Sequence, residues 1–278
     1  MALNELALKQ GQIPQSRDFA QGALLSFRLA GNLRGEADAL MRLGSLETRR
    51  LEAENFYQEA LDLYRELNDR NGQVDALRRL LSFQEGQTDG ERAAALRLDL
   101  AKAHLSGGEL DAALNELRDA LRQLDETASA AFRADILLHA GIAYRLKAQF
   151  ADSLNALRQA QALLPPESLK AGAILLHLGE TLFRQAVSGG AADVEAAMRI
   201  FQQALQMYRQ LEDIGGQGAA RMRIGDALLR QGRYADAATA YQQAVALLAQ
   251  VDDHYHEIVA LMSLGAAYNA QGLYWDAL

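Results

Sequence analysis

Apolar residues along this chain recur at i, i+3, i+4 and i+7 in one segment after another, and short runs of Gly and polar residues separate the segments. That spacing gathers side chains onto one stripe of an α-helix. Each periodic segment is followed by a turn and then by a second amphipathic segment, so the predicted unit is an antiparallel helix pair. The unit repeats. In RIGDALLRQGRYADAATAYQQAV, Ile224-Gly225 is followed by Gly232, Tyr234, Ala237, Tyr241 and Ala244; in SLGAAYNAQGLYWDAL, Leu264-Gly265 is followed by Gly272, Tyr274 and Ala277, a shift of 40 residues. One hairpin cannot bury both of its faces, so successive hairpins must stack.

Gly179 and Gly141 anchor the same frame, as does Ala101 less clearly, and Ala120 and Ala160 fall nineteen residues after their anchors just as Ala244 does. Gly44 anchors another unit, in which Ala53, Tyr57 and Ala60 fit the second helix after a shortening of about one helical turn. Leu3, Asn4, Gly11, Ile13 and Ala23 carry the frame to the start of the chain. Small residues at these places let two helix backbones approach, and an aromatic ring fills the space beside them, Tyr241 beneath Gly225. Two stretches depart from the frame. Gln73 to Gly86 and Glu91 to Ser106 both read as first helices, with anchors only twenty residues apart and a turn expected at Gln87-Thr88-Asp89-Gly90. About six extra residues place Ser188-Gly189-Gly190 between the helices of the Gly179 unit, as a contact loop or as a tolerated insertion.

The Leu-Gly and Ile-Gly anchors, with small-aromatic-small positions in the second helix, resemble the signature of the tetratricopeptide repeat family. The similarity covers nearly all of residues 1–278, as a single array of about seven to eight helix-pair units with an irregular unit near 70–106. The period of about 40 residues, with MYRQLEDIGGQGAA and LYRELNDRNGQVDAL between units, is most similar to the long-repeat branch found in kinesin light chains, spindle-orientation adaptors and bacterial regulatory arrays. The resemblance implies an all-α, right-handed superhelical solenoid of antiparallel helix pairs, whose first helices line a concave groove. At Leu3 the frame is already midway through a first helix and Leu278 falls where a second begins, so truncated first and last units and a fragment of a longer protein are expected.

Composition agrees with helices: half the residues are apolar, only 6% are aromatic and Pro occurs three times. A formal charge of −8, with no block of five Lys or Arg, argues against nucleic acid as a partner. Without cysteine there is no disulfide framework, thiolate zinc site or cysteine nucleophile. No apolar run approaches the roughly 18 residues that cross a bilayer, and no cationic leader opens the chain, so a soluble, cytoplasmic protein with no membrane partner is expected. His104, His139, His177, His254 and His256 form no HExxH pattern, and the GGQG of residues 215–218 reads as a turn rather than a phosphate cradle. No catalytic, cofactor-binding or metal-ligating residue is therefore assigned, and the chain is read as a non-enzyme.

The candidate binding surface is the stripe of each first helix three before, one after and five after its anchor. It comprises Leu176, Glu180 and Arg184 in one repeat, Met222, Asp226 and Arg230 in the next, with Leu138, Met262, Met41 and Arg49 in others, supplemented by Phe183 and Arg145. An apolar floor with charged edges suits a peptide or partner domain that inserts apolar side chains and offers carboxylates to arginine. The same residues have a simpler reading, because Glu180 with Arg184 and Asp226 with Arg230 are i,i+4 pairs worth about 0.2–0.5 kcal/mol to their own helix without any ligand. The carboxylate-clamp units of chaperone-tail receptors resemble this fold but carry Lys and Asn where this chain has Leu, Met, Glu, Asp and Ala. Three functions follow: a protein-interaction scaffold; alternatively the sensor segment of a larger signalling ATPase or transcription regulator, binding a small effector or holding it inactive; or a module that self-associates through its ends.

Overall fold

In the computed structural model, residues 13–84, 90–189 and 193–272 are described. The expectations placed on Leu3, Asn4, Gly11, Gln87, Thr88, Asp89, Gly190, Tyr274 and Ala277 lie outside them. The described residues form thirteen α-helices and no strand: α1 Ile13–Leu29, α2 Leu33–Leu46, α3 Arg50–Glu66, α4 Arg70–Ser82, α5 Gly90–Ser106, α6 Leu110–Gln123, α7 Ala130–Leu146, α8 Phe150–Ala162, α9 Leu169–Val187, α10 Val194–Gln210, α11 Ile214–Arg230, α12 Tyr234–Leu248 and α13 His254–Gln271. The fold is an all-α solenoid of helix pairs, divided into two units, Met1–Ala128 and Ser129–Leu278.

One turn device recurs between helices. Two residues past a helix end, one residue takes a left-handed conformation: Gly31, Asn68, Gly108, Ala148, Glu212 or Gly232. The next N–H then reaches back to a carbonyl five residues earlier, as in Asp69 to Tyr64 (2.8 Å), Gln149 to Tyr144 (2.9 Å) and Asp213 to Tyr208 (2.9 Å). This is a Schellman closure, which satisfies carbonyls left open at the helix C-terminus and reverses the chain in a few residues. The residue that follows caps the next helix: Asn32, Asp69 and Asp213 accept from the amides of Gly35, Gly72 and Gly216. A Cβ at Gly72 would lie 2.3 Å from the ring of Tyr64, and one at Gly216 2.3 Å from Tyr208, so the glycine at the third helical position gives the preceding aromatic its seat. Burial, with Asp213 close by, pushes the Tyr208 phenol up to about 12.

Anchors and rings meet as the repeat pattern requires. Tyr57 lies on Gly44, Leu157 on Gly141, Phe201 on Gly179 and Tyr241 on Gly225, and a methyl group at any of the four glycines would come within 2.7 Å of its neighbour. Ala60, Ala120, Ala160, Ala204 and Ala244 are all fully buried, each allowing a close helix crossing. Among the largest enclosed side chains are Leu40, Leu61 and Leu77 in the first unit and Phe201, Ile174 and Tyr241 in the second. Full burial of each such side chain contributes about 1.5–3 kcal/mol.

Three helices, α4, α5 and α6, cross the irregular stretch, and α5 packs on both its neighbours. Glu54, buried on α3, holds α5 in place: it pairs with Arg50 of its own helix (2.8 Å) and Arg92 of α5 (2.8 Å). In the second unit, helices also touch across a repeat, α7 with α9, α9 with α11 and α11 with α13, which makes a continuous wall of first helices. No alternate pair is as close among the described residues of the first unit.

Candidate functional site

Two hollows open between α9 and α11. The helical spacing that puts each anchor glycine against the core turns the positions one and five after it towards the wall. The larger hollow, about 720 Å³, is lined by Phe183, Arg184, Asp226, Leu229, Arg230 and Tyr234 among others. The smaller, about 240 Å³, lies beside Leu176, His177, Glu180, Met222, Arg223 and His256. The structure therefore brings Leu176, Glu180 and Met222 to one hollow and Phe183, Arg184, Asp226 and Arg230 to the other.

An ionic chain links the two, with Glu180 and Arg223 lining the smaller and Asp226 the larger. Arg145 Nη1 of α7 is 3.1 Å from Glu180 Oε1 of α9, which is 3.6 Å from Arg223 of α11; Arg223 Nη1 is 3.1 Å from Asp226 Oδ2. The Tyr241 hydroxyl of α12 donates to Asp226 Oδ1 at 2.8 Å. Burial opposes ionisation of Glu180, but His177, Arg223 and Arg145 outweigh it and hold the carboxyl at about 2. For Arg145 burial is the larger influence and lowers its affinity for a proton; Glu180 counters this, while Arg184 and Arg223 add to it. Burial, reinforced by Asp226, raises the Tyr241 phenol well above its ordinary value.

The two carboxylates of the stripe do not take the i,i+4 partners that local spacing offers. Glu180 and Asp226 are engaged across repeats and with Arg223 and Tyr241, not with the arginines four residues along their own helices. Arg184 and Arg230 are exposed, and among the described residues no carboxylate lies within ion-pair distance of either. The reason is geometric: α7, α9 and α11 are close enough for a guanidinium to reach the next helix, where partial burial makes the pair stronger than a solvated i,i+4 contact.

The other expected residues are dispersed. Arg145 is under the wall rather than on it, its side chain only 9% exposed. Leu138 is buried in the core. Met262, on α13, is 72% exposed. In the first unit Met41 lines a hollow of about 330 Å³ with Asp38, Tyr64 and Arg79, whereas Arg49 sits at the α2–α3 connection, 2.5 Å from Glu52. His177, Arg223 and His256 were not assigned from the sequence. A signal existed for two of them: His177 and Arg223 both stand two residues before an anchor glycine, the position that faces the carboxylate one after the anchor. The histidines show no common chemistry. His139 Nδ1 is 2.8 Å from the Asp135 carbonyl, His104 is buried against Glu109 at 2.6 Å, and His254 and His256 pair with Glu257 and Asp253 at the start of α13. Among the described residues no three His, Asp or Glu side chains gather as a metal site requires.

A family model for the tetratricopeptide repeat matches residues 216–278. Those residues, 63 of the chain's 278, are similar to the tetratricopeptide repeat. Solved structures align with most of the chain. A Rap protein complexed with competence and sporulation factor is 17% identical, with a TM-score of 0.63, and the alignment covers 96% of this chain and 74% of that one. The apo form of the quorum sensor NprR from B. thuringiensis is 12% identical, with a TM-score of 0.65 and coverage of 99% and 77%. A STAND signal-transduction ATPase with a tetratricopeptide repeat sensor, from Pyrococcus horikoshii, is 15% identical with a TM-score of 0.60; 93% of this chain aligns with 43% of that protein. At these identities the likeness is one of fold. No curated protein sequence matches. Among the described residues no helix of the array is long and apolar enough to cross a membrane.

Proposed function

We propose that this array is a non-catalytic, cytoplasmic binding module that holds a peptide or a segment of a partner protein on the wall formed by α9 and α11. One observation carries the reading: Arg184 and Arg230, two exposed cations with no acidic partner among the described residues, border the same hollow as Phe183, Leu229 and Tyr234. A surface that served only to stabilise its helices would have spent those charges on Glu180 and Asp226. Neither nucleic acid nor a membrane belongs to this reading, since the overall charge of −8 is unfavourable for both phosphate and anionic lipid.

A second reading is favoured by the aligned structures. One is described as a quorum sensor, and another as an ATPase with a repeat sensor. The chain would then be the sensor part of a larger signalling protein, and the same wall would receive the effector. Both readings are tested with the double variant Arg184→Glu/Arg230→Glu. The wild type and the variant, shown to be equally helical by circular dichroism, are used as bait in parallel pull-downs read by quantitative mass spectrometry. Partners retained by the wild type and lost from the variant are expected. Identical recoveries would remove this wall from the binding surface.

A further inference from the structure

We propose that the α9–α11 wall selects an acidic–apolar peptide segment, in which an Asp or Glu side chain adjoins a bulky apolar residue in the larger hollow and a smaller apolar residue enters the smaller hollow about two helical turns away. The inference rests on the binding role proposed above and specifies its ligand.

Charge comes first. Although the chain as a whole is acidic, the four arginines gathered about the two hollows, Arg145, Arg184, Arg223 and Arg230, have among the described residues two carboxylates set between them, Glu180 and Asp226. Both carboxylates are already engaged, Glu180 by Arg145 and Arg223, Asp226 by Arg223 and the Tyr241 hydroxyl. The unspent charge is therefore positive and sits on Arg184 and Arg230. A ligand carboxylate gives these two groups the planar, two-toothed partner that guanidinium favours. A ligand lysine or arginine would instead meet two cations, while the carboxylates at the hollow, Asp226 and, through Gln231, Glu195, already accept hydrogen bonds; that like-charge contact disfavours the wrong partner.

Shape comes next. Phe183, Val187, Leu229 and Tyr234 surround the arginines in a space of about 720 Å³, room for a large side chain beside the carboxylate. The smaller hollow, about 240 Å³, has Leu176, Met222, Ala173 and Ala219 as its apolar lining. Of its polar groups, Glu180 is held by its cations and His256 Nδ1 by Asp253 at 2.7 Å, while His177 Nδ1 stands 3.6 Å from Glu180 without a hydrogen bond. The volume and the four apolar residues suit a modest apolar side chain. Leu176 and Phe183 on α9, like Met222 and Leu229 on α11, are seven residues apart, which at 1.5 Å per residue separates the hollows by about 10 Å. An extended or polyproline-like ligand covers that distance in about three residues, and a helical one in about seven.

The test uses a displayed library of random twelve-residue peptides selected on the whole chain. The expected consensus has Asp or Glu next to Phe, Leu, Ile, Met or Trp, with a smaller apolar residue three or seven positions away. The consensus peptide is then synthesised in four forms: unchanged, with the acid replaced by its amide, with the chain terminus amidated, and with the smaller apolar residue replaced by Gly. Replacing the acid should weaken binding about tenfold or more, the worth of a charge-assisted contact, and Arg184→Glu/Arg230→Glu should abolish the preference for acid. Amidating the terminus should change nothing, and the Gly form should bind several-fold more weakly. A basic or acid-free consensus, or an acid-to-amide peptide of undiminished affinity, would overturn the inference while leaving peptide binding intact. Sensitivity to terminal amidation alone would also overturn it, because the recognised group would then be a chain end. A folded protein that selects no peptide would instead count against the binding role itself.

Discussion

The two units are made of the same kind of helix pair yet present different surfaces to solvent. In Met1–Ala128 the hollow at Met41 has Asp38, Arg42, Ser45, Asp75 and Arg79 around it, and the space beside it adds Arg78 and Ser82, so nearly every group is polar. In Ser129–Leu278 the larger hollow is amphipathic, and among the described residues its two arginines have no carboxylate within ion-pair distance. Both units bind an aspartate through a tyrosine hydroxyl, Tyr64 to Asp38 at 2.7 Å and Tyr241 to Asp226 at 2.8 Å. What differs is lateral packing. In the second unit alternate helices touch, so a guanidinium on one first helix reaches a carboxylate on the next. In the first, charges also pair across repeats, Arg34 of α2 with Asp69 at the start of α4 and Arg92 of α5 with the buried Glu54 of α3, beside surface pairs such as Arg65–Asp99 (2.6 Å) and Arg70–Glu109 (2.7 Å). Both units consume charges across repeats, and the exposed Arg184 and Arg230 are what the second adds.

The strongest way to probe this contrast is through the cores. Phe201→Ala removes a ring that is 1% exposed and seated on Gly179, and should cost about 3–5 kcal/mol; Tyr57→Ala, seated on Gly44, should cost a similar amount in the other unit. Urea unfolding monitored by hydrogen exchange should place each loss of protection in the unit that carries the substitution. Next is Glu180→Gln, which strands the buried Arg145 and should destabilise the chain by about 3 kcal/mol at neutral pH. Because the Glu180 carboxyl is held at about 2 against an ordinary 4.5, its ionic stabilisation is complete above pH 4.5 and is lost as the pH falls from there through 2. Stability measured across that window should fall less steeply in the variant than in the wild type. Smaller again are Tyr64→Phe and Tyr241→Phe, each of which deletes one hydroxyl–carboxylate bond and should cost about 1–2 kcal/mol. If only Tyr241→Phe also alters ligand affinity, the functional wall belongs to the second unit.

The anchor glycines, the rings they face and the 40-residue frame were legible because each is a steric requirement repeated in register. The turn chemistry was legible too, in retrospect: an aromatic, four residues, Asn or Asp, two residues, then Gly describes Phe27–Gly35, Tyr64–Gly72 and Tyr208–Gly216 alike. The partners of Glu180 and Asp226 were not. Local spacing offers Arg184 and Arg230, and only the contact of α7 with α9 and of α9 with α11 gives preference to Arg145 and Arg223. Arg145, expected at the groove, is instead covered, paired with Glu180 of the next repeat. The odd helix among α4, α5 and α6 left its trace as two anchors twenty residues apart, a half-period that sequence can display but not explain.

The left-handed turns leave room for engineering. Ala148 and Glu212 adopt φ values of 59° and 54° where Gly108 and Gly232 do the same work in equivalent turns. A side chain there costs about 1 kcal/mol that glycine avoids. Ala148→Gly together with Glu212→Gly should therefore raise the melting temperature by a few degrees, against the usual rule that glycine loosens a protein, and would furnish a hardier background in which damaging changes at the α9–α11 wall can be studied without loss of the folded chain.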